Sequence, residues 1–176
     1  MTLDEAKKVH EAKYRQLIKV STRIKDGLAN GLSEVRNMPI EVWRVASSEL
    51  RNVTGQEANG YPAKYDGKYV IFLSDAPSYP SPRTPSLKGY WLNRLCVLHE
   101  YTHIICGNVF EDDPDRFYKL YMDITQGSPI AQNEHCDIEN RADKYAFSQL
   151  AEEARNAGDT MLACELLSEI QYRGLY

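Results

Sequence analysis

The dipeptide Asp66-Gly67 constrains the fold of this chain more than any other feature, because it separates two short runs rich in aromatic and β-branched residues. The runs cover residues 61–65 and 68–74. A two-residue hairpin turn needs positive φ angles, which Asp and Gly adopt more readily than most residues. The sequence therefore predicts an antiparallel hairpin, with residues 68–74 as its best strand. A further strand is predicted at residues 41–46, which are rich in valine and tryptophan.

Helical patterns flank these strands on both sides. Thr2 and Glu5 have the spacing of a capping box, and the apolar positions behind them predict a long helix that ends near residues 27–31. Four prolines within residues 75–86 are incompatible with regular structure and predict a surface loop. Later helices are predicted at about residues 87–106, 113–125, 134–157 and 159–174.

This order of elements predicts an α+β fold with a long N-terminal helix, a small antiparallel sheet and a group of C-terminal helices. We expect one domain over residues 1–176, which is long enough to bury a core. The net charge of −4 does not indicate a nucleic-acid-binding protein. No apolar run is long enough to span a membrane, and the N-terminus lacks the apolar core of a signal peptide. We therefore expect a cytoplasmic protein with no nucleic-acid or membrane partner, and the oligomeric state stays open.

Residues 99–103 have the sequence HEYTH, which fits the pattern HExxH. Two histidines one helical turn apart point to the same side of a helix, so their imidazoles can bind one metal ion. Glu100 is rotated away from the ligands and is the candidate general base and acid for a water molecule at the metal. The pattern therefore predicts a catalytic Zn²⁺ site with His99 and His103 as ligands and Glu100 as the catalytic residue.

A catalytic zinc site usually has three protein ligands, so a third residue must be found. The extended metzincin pattern does not fit, because Cys106 and Val109 stand where it requires glycine and a further ligand. A downstream helix offers Glu139 and Asp143 on one face, with the small Ala142 between them. We expect Glu139 to be the third ligand and Asp143 to accept a hydrogen bond from a ligating imidazole, which fixes its tautomer.

Other residues near these motifs have alternative roles. His135 is a candidate to replace Glu139 as the third ligand or to stabilise the oxyanion of the reaction, and otherwise it is a residue of a surface loop. Cys96 and Cys106 lie three residues outside the two histidines and are interpreted as small core residues. His10, on the apolar stripe of the first helix, is interpreted as a packed histidine rather than a ligand.

The segments HEYTH and ENRADKYA (residues 139–146) together resemble the HExxH…ExxxD pattern of gluzincin metallopeptidases. They are especially similar to the minimal ImmA/IrrE-like metallopeptidases, with Glu139, Ala142, Asp143 and Ala146 matching the second motif. The resemblance covers about residues 69–150. It implies a minimal zincin fold, a strand before the HExxH helix, and a zinc ion held by both histidines and Glu139.

The functional hypothesis is a zinc-dependent metallopeptidase that cleaves a selective protein or peptide substrate. We expect an extended substrate to pair with an exposed edge of the strand at residues 68–74. The proline-rich stretch 77–85 and the inserted segment 112–132 are expected to wall the cleft. The alternative is a non-catalytic zinc-containing interaction protein, such as a phage or host regulatory factor. An intact Glu100 favours the enzyme, because a scaffold needs no base beside its metal.

Overall fold

The computed structural model describes residues 1–175, and within them the α+β fold class is confirmed. The helices are α1 (Leu3–Lys19), α2 (Ser47–Thr54), α3 (Tyr90–Ile105), α4 (Pro114–Thr125), α5 (Pro129–Asn156) and α6 (Thr160–Arg173). The strands are β1 (Thr22–Ile24), β2 (Ile40–Val45), β3 (Gly60–Tyr65) and β4 (Lys68–Ser74). Single 3₁₀ turns occupy Gly27–Ala29 and Phe110–Asp112. No helix in this part of the chain combines the length and apolar character that crossing a bilayer requires.

The first helix begins as predicted and ends earlier than predicted. Thr2 and Glu5 form the expected capping box, but α1 ends at Lys19 and not near residues 27–31. The β-branched residues Val20 and Thr22 follow its last turn, and such residues favour strands over helices. The chain then forms β1, which pairs antiparallel with β2.

The hairpin is confirmed, but its place in the sheet differs from the prediction. Asp66 and Gly67 have φ angles of 54° and 73°, as the tight turn between β3 and β4 requires. The strand order is β1-β2-β4-β3, and β2 pairs with β4 in parallel. The sheet is therefore mixed rather than wholly antiparallel. The prediction that residues 68–74 present an exposed edge is wrong, because β4 has a partner on each side.

Strand β4 is central because it is apolar on both faces. Its alternate side chains point to opposite faces of the sheet. On one face Tyr69, Ile71 and Leu73 pack against α3. On the other face Val70 and Phe72 pack against α1 and α2. A continuous apolar run is typical of a strand buried on both faces, and this signal in the sequence indicates a central strand.

The long helix α5 packs against α3 on one side and α6 on another. Small residues, including Ala142, Ala146 and Ala154, are buried along it and allow close approach. At the C-terminus of α3, Arg36 donates hydrogen bonds to the Ile104 carbonyl (2.9 Å) and the Tyr69 hydroxyl (3.1 Å). These contacts fix α3 relative to the centre of the sheet, so the HEYTH segment has a defined position.

Candidate metal centre

Helix α3 places both histidines of the HEYTH segment on its side facing α5. His99 and His103 lie one turn apart, and their Nε2 atoms are 3.1 Å from each other. His103 is almost fully buried, whereas His99 is partly exposed toward the cleft described below. The two imidazole nitrogens therefore converge on one point, as the i, i+4 spacing predicts.

Glu139 on α5 reaches the same point. Its carboxylate oxygens lie 3.0 Å from His99 Nε2 and 3.4 Å from His103 Nε2. In a tetrahedral site with bonds of about 2.0–2.1 Å, neighbouring ligand atoms are about 3.3 Å apart. The imidazole nitrogens and the two Glu139 oxygens are separated by distances close to that value, and one ligand atom from each residue lies within 4.8 Å of the others, so the group His99, His103 and Glu139 could hold a metal ion.

The electrostatics of this group also favour a cation. Burial opposes charge on His99, but hydrogen bonds to Asp143 and Glu139 raise its pKa well above the ordinary value. Burial by itself would raise the pKa of Glu139, yet the hydrogen bonds from His103 and His99 hold it well below its usual range. Carboxylates thus stabilise positive charge at His99, and a bound metal ion supplies such charge.

Asp143 lies one turn after Glu139 and contacts the outer nitrogen of His99. Its Oδ1 atom is 2.7 Å from His99 Nδ1, and its Oδ2 atom accepts a hydrogen bond from Arg173 at 2.6 Å. A hydrogen bond to Nδ1 leaves the Nε2 lone pair of the neutral imidazole free for a metal. Arg173 also donates to the Tyr79 hydroxyl at 3.0 Å, so α6 and the proline-rich loop support this contact.

Glu100 lies beside the group without belonging to it. Its side chain is buried, with 7% of the residue exposed, and it accepts no hydrogen bond from the residues described. Burial raises the pKa of Glu100 above its usual range, although His99 and His103 act in the opposite direction. This carboxylate lines the cleft and is therefore available to a bound molecule.

Gly60 is a component of this site that the sequence analysis missed. A Cβ atom on Gly60 would lie 2.7 Å from Glu100 Cγ and 3.0 Å from its Oε1 atom. The glycine at the start of β3 thus leaves room for the Glu100 side chain. A glycine that opens a strand often marks a close approach, which was the available signal.

The remaining candidates lie outside the ligand group. His135 is exposed at the cleft, one turn before Glu139, and contributes no atom to the group. Cys96 is a buried residue, as expected, but Cys106 is exposed at the end of α3, so its assignment to the core is wrong. His10 packs as interpreted, with its ring stacked on Phe110 at 3.7 Å between centroids.

A cleft of about 690 Å³ contains the candidate metal-binding group and follows β3, the outer strand of the sheet. Of the two predicted walls, the inserted segment contributes Phe117 and Tyr121 from α4. The proline-rich loop contributes Tyr79, while Ser81 and Ser86 bind glutamates of α6 and hold most of that loop against this helix. Helix α1 supplies a further wall that was not predicted.

Comparisons of this chain with protein-family models, curated proteins and solved structures give no match. The geometry of the site is therefore the basis for the functional interpretation.

Proposed function

We propose that this chain is a zinc-dependent metallopeptidase that hydrolyses peptide bonds in a selective protein substrate. One observation carries the proposal. One candidate ligand atom from each of His99, His103 and Glu139 lies within 4.8 Å of the others, while the buried Glu100 carboxylate lies beside them and is not needed as a ligand. A purely structural metal site has no use for a fourth, unbonded acid at its edge.

Zinc is the metal that suits this donor set. Two imidazole nitrogens and one carboxylate oxygen are the ligands of many catalytic zinc sites, which leave a fourth position open. A zinc ion held there would act as a Lewis acid toward a water molecule and the substrate carbonyl. The hydrogen bond from His99 to Asp143 supports this assignment, because it orients the imidazole for coordination.

The proposed role of Glu100 is proton transfer. Its carboxylate takes a proton from the attacking water as the new C–O bond forms. The same proton then passes to the amide nitrogen as the C–N bond breaks, which releases an acid and an amine. His135, exposed on the cleft, remains the candidate for stabilising the oxyanion.

The substrate is proposed to bind along β3, which replaces β4 in the original hypothesis. The Asn59 carbonyl accepts a hydrogen bond from Ser74 N (2.9 Å), so odd-numbered residues of β3 bond to β4. In an antiparallel pair the intervening residues, Gly60 and Pro62, point their backbone groups to the free side. Both residues line the cleft next to Glu100, where an extended peptide can pair.

Metal analysis and hydrolysis of peptides test the proposal together. We expect about one zinc per chain in protein purified without added metal. We expect Glu139→Ala to lose most of this zinc because it removes a ligand. Glu100→Gln should retain zinc but lower the rate of hydrolysis by about 10²–10⁴-fold, since only the proton acceptor is lost.

The results of these experiments distinguish a metallopeptidase from a non-catalytic interaction protein. Stoichiometric zinc without cleavage of any peptide from a proteome-derived library would favour the interaction protein over the enzyme. A zinc content well below one per chain that dialysis against zinc does not raise would contradict the proposed metal site. Loss of zinc in Glu100→Gln but not in Glu139→Ala would show that the two roles are reversed.

A further inference from the structure

The charged residues that line the cleft are unevenly distributed. The acids among them, Glu100, Glu139 and Asp143, all belong to the metal centre or contact it. Within the described residues the lining contains one lysine or arginine, Lys13 of α1. Once a divalent metal ion and the Arg173 ion pair with Asp143 balance these acids, Lys13 is the charged group of the cleft that has no assigned role.

Lys13 is partly buried and has no partner. No salt bridge or hydrogen bond links its ammonium group to another residue of the described chain. Burial lowers the pKa of Lys13, which means that the charged form has lost part of its hydration. Other lysines of α1, such as Lys7 and Lys8, are exposed. An anionic ligand would stabilise the ammonium charge of Lys13 in place of the water that burial removes.

The part of the wall next to Lys13 adds no second positive charge near neutral pH. His10, one turn earlier on α1, stacks on Phe110 and has its Nδ1 atom 3.1 Å from the Tyr61 hydroxyl. Burial lowers the pKa of His10 to about 4, so its ring is neutral near pH 7. The positive charge at this end of the cleft therefore comes from Lys13.

The position of Lys13 relative to β3 suits a substrate side chain. Gly60 faces α3 and the metal centre, whereas the neighbouring Tyr61 faces α1. A peptide paired with β3 continues this alternation, because successive side chains of a strand point to opposite faces. Alternate side chains of such a peptide would thus face the metal centre and the wall that contains Lys13.

We infer that the α1 side of the cleft is a carboxylate-binding subsite with Lys13 as its cation, so that preferred substrates carry an acidic group there. The ligand is a carboxylate, supplied either by an aspartate or glutamate side chain or by the C-terminus of the substrate. The inference rests on the proposed function, since it names the substrate class of that site. The subsite would select substrates that carry an acidic group, whereas the metal centre itself does not distinguish them.

Cleavage of matched peptides tests this subsite. Zinc-loaded protein is incubated with amidated peptides that differ by Glu, Gln or Lys at one position at a time, and products are quantified by mass spectrometry. We expect Glu to be preferred over Gln by about tenfold in kcat/KM at one position. A parallel pair, identical except for a free or amidated C-terminus, distinguishes a side-chain carboxylate from a terminal one.

Variants of α1 assign the preference to Lys13. Lys13→Gln should abolish the preference for Glu, and Lys13→Glu should reverse it toward Lys. Lys8→Glu makes the same charge change at an exposed position of the same helix and should leave the preference intact. If wild-type protein cleaves Glu and Gln peptides equally, or if the Lys13 variants keep the preference, the inference is wrong while the hydrolase remains.

Binding measurements keep the inference testable if no peptide is cleaved. Fluorescence anisotropy with zinc-loaded protein compares labelled Glu and Gln peptides. Tighter binding of the Glu peptide that disappears in Lys13→Gln supports the subsite, even though the proposed hydrolysis would then have failed. Equal binding, or no binding of either peptide, overturns the subsite.

Discussion

Gly60 and Glu100 show how a single missing side chain can shape a candidate active site. The Glu100 carboxylate is buried against the backbone of β3, in space that any other residue at position 60 would fill. Its place beside the metal-binding group therefore depends on this glycine. A shift of about 1 Å in a reacting group can reduce a catalysed rate by about 100-fold.

We therefore expect Gly60→Ala to lower peptide hydrolysis by about 10- to 100-fold without loss of metal. The added Cβ would displace Glu100, whereas His99, His103 and Glu139 lie outside this contact. Zinc content and hydrolysis measured on the same preparation check this. Gly27→Ala is the matched control, because its Cβ would be 3.9 Å from the nearest atoms. Equal activity of both variants would contradict the positioning role of Gly60.

For individual residues, local signals in the sequence predict the histidine pair well but do not predict the role of Gly60 beside Glu100. His99, Glu100 and His103 are related by helix geometry alone, so their spacing suffices. The contact between Gly60 and Glu100 joins residues distant in the chain. Gly60 also has no positive φ that would explain the glycine locally. A sequence without tertiary contacts does not reveal such a requirement.

Among the elements, α6 is connected to the candidate metal centre through a chain of polar contacts. Arg173 near its end holds one oxygen of Asp143, whose other oxygen contacts His99. Burial works against ionisation of Asp143, but these two partners hold its pKa below the usual range. The C-terminal helix thus orients a ligand that it does not touch.

We expect Asp143→Ala to weaken zinc binding by about 10–100-fold, as is typical when a hydrogen bond to a ligating imidazole is lost. Arg173→Ala should have a smaller effect in the same direction. If Arg173 acts through Asp143, the double variant will bind zinc no more weakly than Asp143→Ala alone. Competition with a chromophoric chelator measures all three. Additive losses would show that Arg173 acts independently.

Some elements were predictable from short-range chemistry and others were not. Asp66-Gly67 and Asp113-Pro114 mark a turn and a helix start by their own conformational preferences, and both are observed. The end of α1 was misplaced because Ile24 and Leu28 continue its apolar spacing, although they pack in the cluster between the sheet and α3. The apolar run of β4 indicates a strand buried on both faces, but its parallel pairing with β2 joins residues distant in the chain and is not encoded in the local sequence.

For the whole molecule, the docking of α1 links stability to pH. His10 joins α1 to Phe110 and Tyr61, and burial lowers its pKa to about 4. In the unfolded chain a histidine has a pKa near 6.5, so the unfolded state binds more protons between these values. The free energy of unfolding should therefore fall as the pH is lowered from about 6.5 to 4.

We expect His10→Gln to be less stable than the wild type at pH 7, because the stacking on Phe110 is lost. The difference in the free energy of unfolding should shrink by about 1 kcal/mol or more by pH 4.5, since only in the wild type does unfolding expose an imidazole that then binds a proton. Denaturant titrations at pH 7, 5.5 and 4.5 measure it. A difference that stays constant with pH would contradict this account.

The outward-facing Pro62 has a consequence for the behaviour of the molecule in concentrated solution. An open sheet edge is a template for self-association, and proline on that edge removes one of the donors that a second chain would need. Lys64, two residues further along β3, is tied to Asp112 by an ion pair at 3.1 Å, which covers the edge beyond the cleft. Because Pro62 lacks a backbone N–H group, a peptide bound along β3 forms few backbone hydrogen bonds with this strand. Pro62 thus opposes aggregation and also makes recognition of a peptide depend on its side chains.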